Sequence, residues 1–137
     1  EGIAEVKAVD ETVLITFLTN SPPQEAVKCE RLFVRAARKE EQIFIPFVVL
    51  WKLAGFLEER VAKKDEIIAL FRDLFDLKGV TVGSAKFTKQ VFSVYESTDL
   101  TFSQSVLVGA IQEKGLTQLY TYSNNSLNDH LKVIRPE

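Results

Sequence analysis

Cysteine, histidine and long apolar runs are scarce in this sequence of 137 residues, and each scarcity excludes a class of protein. Cys29 is the only cysteine, so no disulfide can form within the chain, and a metal site built on several thiolates is excluded. The longest apolar runs, such as Phe47 to Trp51, fall far short of the roughly 20 residues that a membrane-spanning helix needs. The N-terminal residues lack the basic and then apolar segments of a signal peptide. We therefore expect a cytoplasmic protein without a membrane segment.

Neither acidic nor basic residues are in large excess. The chain has 19 acidic and 17 basic side chains, a formal charge of -2 and a pI near 5.5, so it has no overall positive field to attract nucleic acid. Any contact with nucleic acid needs a local basic patch. The 46% of hydrophobic residues exclude an intrinsically disordered chain. A chain of this length predicts one globular domain over residues 1–137.

Apolar spacing and turn residues predict short strands separated by helices. Pro23 suits the first turn of a helix, and Gly115 suits the end of another. The predicted strands are Ala4 to Val9, Ile43 to Ile45, Val80 to Val82, Leu119 to Thr121 and Lys132 to Ile134. The predicted helices are Glu11 to Leu18, Pro23 to Lys39, Phe47 to Glu59, Asp65 to about Lys78, Lys86 to Glu96 and Ser103 to Lys114, with a loop or short turn from Ser123 to Asp129.

This order of elements predicts an α/β fold, because parallel strands are joined by crossover helices rather than tight hairpins. We expect a three-layer α/β/α sandwich around a central, mainly parallel sheet. Ligands of such sheets bind beyond the carboxyl ends of the strands, which places a site near Asp10, Pro46 and the segment from Thr121 to Ser123.

Two common catalytic motifs are absent. Gly79, Gly83 and Lys86 do not have the spacing of a phosphate-binding loop, since Ser84 and Ala85 separate the second glycine from the lysine. A serine hydrolase is excluded by the lack of a Gly-x-Ser-x-Gly elbow, and His130 is the only histidine.

Basic residues recur at helical spacing on one face of the predicted helix from Pro23 to Lys39. They are Lys28, Arg31, Arg35 and Arg38. This face could contact RNA phosphates or an acidic partner peptide. Acidic residues are interleaved with it, namely Glu25, Glu30, Glu40 and Glu41, so an ordinary solvated face accounts for the same pattern.

Four segments together resemble the signature segments of the PIN domain, and most closely those of the VapC-type toxins of toxin–antitoxin pairs. They are Ala8 to Ile15 (AVDETVLI), Ile43 to Leu53 (IFIPFVVLWKL), Leu100 to Leu107 (LTFSQSVL) and Leu119 to Ser123 (LYTYS). The similarity extends from about Val6 to Val133. The resemblance implies a PIN-like α/β fold.

The same resemblance implies a ribonuclease that uses Mg²⁺ or Mn²⁺ held by about four carboxylates. Such hard cations prefer oxygen ligands and activate water beside the scissile phosphate. Asp10 matches the first of the family's acidic positions. The other three positions carry Lys52, Gln104 and Ser123. We therefore expect a degenerate site, no resident cofactor, and a metal bound at Asp10 if at all.

Lys52 replaces a negative ligand by a cation, which opposes a divalent metal by its charge and, when protonated, has no lone pair to offer. We hypothesise that Lys52 pairs with Asp10 and supplies the positive charge that a metal would bring. Glu11 and Asp99 are the neighbouring acids that could rebuild a carboxylate site.

Three functions remain open on this basis. The first is a non-catalytic PIN-fold protein that binds RNA, an antitoxin-like protein or a second copy of itself. The second is an active Mg²⁺- or Mn²⁺-dependent ribonuclease toxin with a site rearranged around Asp10, Glu11 and Asp99. The third is an engineered PIN-like scaffold whose residues satisfy packing but carry no chemistry.

Overall fold

The computed structural model describes residues 6–60, 62–120 and 126–134. The described residues fall into two compact units, a first unit that ends at Gly83 and a second that begins at Ser84. Each unit is built from helices and parallel strands, so the predicted α/β class is confirmed.

The first unit contains three short parallel strands and four helices. The strands are β1 (Val6–Ala8), β2 (Gln42–Ile45) and β3 (Val80–Val82), paired in the order β1-β2-β3. The helices are α1 (Glu11–Thr19), α2 (Pro23–Ala37), α3 (Phe47–Glu59) and α4 (Lys64–Phe75). Lys7 lies beside Ile43, and Ile43 lies beside Val80, in the parallel register. The carboxyl ends of β1 and β2 therefore lead into α1 and α3 on the same edge of the sheet.

The core of the first unit is made from the inward faces of its helices and the central strand. Ile43 and Ile45 of β2 are buried, and the fully buried side chains around them include Leu14, Leu50, Leu53 and Phe71. Removing these apolar groups from water is the main force that holds the helices on the sheet. The helical spacing of the buried positions is the signal on which the sequence prediction depended.

The second unit is a helical pair followed by two strands. It contains α5 (Ala85–Ser97), α6 (Phe102–Glu113), β4 (Gln118–Tyr120), a short 3₁₀ helix (Ser126–Asp129) and β5 (Lys132–Ile134), with β4 and β5 parallel. Helices α5 and α6 approach closely at Gly109, which has no side chain. A Cβ at this position would lie 3.0 Å from the side chain of Val91. The Tyr95 and Phe102 rings meet edge to face with their centroids 5.2 Å apart.

The predicted order of elements is confirmed, and most boundaries that the structure describes agree within two residues. The helix expected to continue to about Lys78 ends at Phe75. Pro23 occupies the first turn of α2, and Gly115 follows α6 with a φ of 75°, a conformation that glycine adopts without strain. Ala26, Phe33 and Ala36 form the buried face of α2.

Candidate functional site

Asp10 lies where β1 leads into α1. Its side chain caps α1 by accepting hydrogen bonds from the Thr12 backbone N–H, at 3.0 Å, and from the Thr12 hydroxyl. Aspartate is among the preferred residues at this position, because its carboxylate satisfies an N–H group that has no partner within the helix. The predicted site residue therefore has a structural role that needs no metal.

The environment of Asp10 favours its ionised form. The Thr12 hydroxyl lowers the pKa of the Asp10 carboxyl most, partial desolvation opposes that effect, and the backbone N–H groups of Thr12 and Val13 lower the pKa further. The positive charge of Lys52 is the smallest of these influences and also lowers the pKa. Asp10 is an anion at neutral pH whose negative charge is stabilised mainly by its own helix terminus.

Lys52 projects from α3, but its ion pair is with Glu11 rather than with Asp10. Lys52 Nζ lies 3.9 Å from Glu11 Oε2, and the two side chains are 59% and 28% exposed. The hypothesis of a direct Lys52–Asp10 pair is therefore wrong in its partner, because Glu11 is the acid that Lys52 contacts. Asp10 turns toward Thr12 to cap α1, so the carboxylate of the next residue, Glu11, is the one that faces Lys52 of α3.

An open groove of about 650 Å³ lies between α1 and α3 beside this ion pair. Its walls are Glu11, Ile15, Lys52, Gly55, Phe56, Glu58 and Glu59. The Arg60 guanidinium lies 3.6 Å from the centroid of the Phe56 ring, a cation–π contact. The groove thus carries more carboxylates than cations, which disfavours the phosphates of RNA.

Gln104 lies in the first turn of α6, in the second unit. Its side-chain oxygen accepts the Thr101 backbone N–H at 2.9 Å, and its own N–H donates to the Thr101 hydroxyl at 3.2 Å. This reciprocal capping box stabilises the start of α6. Asp99 precedes this cap and is exposed, while Thr101 forms the cap itself. The Thr-x-x-Gln pattern at residues 101–104 is the sequence signal that could have revealed this role, which the sequence prediction missed.

The fourth predicted position, Ser123, lies outside the described residues, as do Thr121 and Tyr122. Within residues 6–60, 62–120 and 126–134, no three His, Cys, Asp or Glu side chains are grouped so that they could hold a metal ion. The same part of the chain contains no helix of the length and apolarity that crossing a membrane requires.

The basic residues predicted on α2 divide into two kinds. Lys28 Nζ lies 3.6 Å from a Glu25 carboxylate oxygen, and Arg35 Nε lies 3.1 Å from Glu41 Oε1. Glu41 also accepts from Lys7 of β1 at 3.4 Å, which ties α2 to the sheet. Sequence spacing did not reveal Glu41 as this link. Arg31 and Arg38 lie with Val27 and Val34 along a separate shallow groove on the outer face of α2.

The comparison with curated proteins agrees with the resemblance of the four segments. No family model matches the sequence. VapC ribonuclease of Aquifex aeolicus is 20% identical over 132 residues, which cover 96% of this chain and 97% of that protein. This similarity over nearly the whole of both chains supports the resemblance to the VapC-like proteins of the PIN-domain family. Among solved structures, VapC20 of Mycobacterium tuberculosis, a toxin that cleaves the sarcin–ricin loop, is 16% identical to this chain, with a TM-score of 0.41 over 96% of this chain and 100% of that one.

Proposed function

We propose that this VapC-like protein acts by binding a partner and does not hydrolyse RNA with a metal ion. The observation that carries the proposal is the Lys52 ammonium, which stands at a family acid position and pairs with Glu11 at 3.9 Å. A cation there repels Mg²⁺ or Mn²⁺ and neutralises the nearest carboxylate that could replace the missing ligand. The candidate partners are RNA, an antitoxin-like protein and a second copy of the chain.

The donor set does not fit a divalent metal. Mg²⁺ demands near-octahedral oxygen ligands and is usually held by carboxylates and water. Asp10 offers one carboxylate, which already accepts two hydrogen bonds from Thr12. Gln104 offers a neutral amide oxygen that is engaged by Thr101, so metal binding there would break the capping box of α6. We therefore derive no catalytic step through a metal at these residues.

The test is to measure Mn²⁺ binding by isothermal titration calorimetry and cleavage of a mixed-sequence RNA oligonucleotide in the same buffer. We expect no saturable Mn²⁺ binding below millimolar concentrations and no cleavage above background. The variant Lys52→Glu, Gln104→Asp and Ser123→Asp should gain Mn²⁺ affinity if the four family positions converge. Asp10→Ser within that variant is the matched control, because serine also caps a helix but is a poorer metal ligand.

Cleavage of the oligonucleotide by the unmodified protein, dependent on Mn²⁺ and abolished by Asp10→Ser, would overturn the proposal in favour of a rearranged ribonuclease site. A folded triple variant that binds no Mn²⁺ would show instead that the four positions do not converge. A protein that binds no metal, RNA or protein partner would support the scaffold alternative and contradict a binding role.

A further inference from the structure

We draw no further inference here: the strongest candidate, the open groove between α1 and α3 with Phe56, Glu58 and Glu59 among its walls, adjoins the Lys52–Glu11 ion pair and so belongs to the site already described, and nothing in the described residues shows what its carboxylates would bind.

Discussion

Replacing Gly79 by alanine should destabilise the first unit strongly, because the new Cβ has no room. Gly79 is buried between the end of α2 and the start of β2. Its N–H donates to the Ala36 carbonyl at 2.9 Å, and its carbonyl accepts the Ile43 N–H at 2.7 Å. A Cβ would lie 2.6 Å from the Ala36 carbonyl oxygen and closer still to that of Glu41.

The magnitude follows from which atoms obstruct the methyl group. Both are backbone carbonyl oxygens, so relief requires movement of α2 or of the loop before β2, and with it the two hydrogen bonds of Gly79. Overpacking a fitted site costs about 1 to 3 kcal/mol and occasionally more. Because the obstruction is rigid, we expect Gly79→Ala to lower the free energy of unfolding by about 3 kcal/mol, or the melting temperature by roughly 10 °C.

Gly55→Ala is the matched control because it adds the same methyl group where nothing lies within 4 Å. Gly55 is within α3, where alanine is the better helix former by about 0.8 to 1 kcal/mol. The control should therefore raise the melting temperature while Gly79→Ala lowers it. Thermal and urea unfolding followed by circular dichroism measure both. Equal stability of Gly79→Ala and the unmodified protein would refute the packing around β2 described above.

Three further changes test the remaining contacts. Arg35 and Lys7 hold the pKa of Glu41 below 4.5, so their stabilisation is complete above pH 4.5 and is lost as the pH falls below it. Glu41→Gln should therefore lower stability at pH 7 and reduce the dependence of stability on pH below pH 4.5. An unchanged pH dependence in acid would contradict this role. Asp10→Ala should lower the melting temperature more than Asp10→Ser does, because of these two residues only serine can cap α1. Equal decreases in the melting temperature of the two variants would exclude the cap. Thr101→Ala should cost about 1 kcal/mol in urea unfolding through the capping box of α6, and no change would show that the box is not formed in solution.

The order of elements was predictable because it depends on local signals. Pro23 begins α2 where a missing N–H is harmless, and Gly115 ends α6 with a positive φ. Apolar side chains at helical spacing marked the faces that became buried. Strands of three or four residues carry little periodicity, yet their described boundaries lie within one residue of those predicted, because turn residues mark their ends.

Side-chain partners at the candidate site were harder to predict, because each has several possible partners within reach. Lys52 could pair with Asp10 or Glu11, and the choice depends on which of the two carboxylates caps the start of α1. Glu41 joins Arg35 to Lys7 across 34 residues of sequence, a link that only the fold creates. The spacing of charged residues in a sequence shows which of them share a helix face, but it does not show which partner each side chain contacts.

The presence of Asp10 is therefore weak evidence for catalysis. A carboxylate at the end of β1 can serve either as a metal ligand or as a cap for the unpaired N–H groups at the start of α1. Asp10 acts as the cap, because it accepts hydrogen bonds from Thr12. The same holds for Gln104, whose amide completes the cap of α6. The two helix starts remain stabilised when carboxylates elsewhere are lost. Helix capping and metal binding therefore place separable demands on the same positions, because a cap needs one hydrogen-bond acceptor whereas Mg²⁺ needs several oxygen ligands.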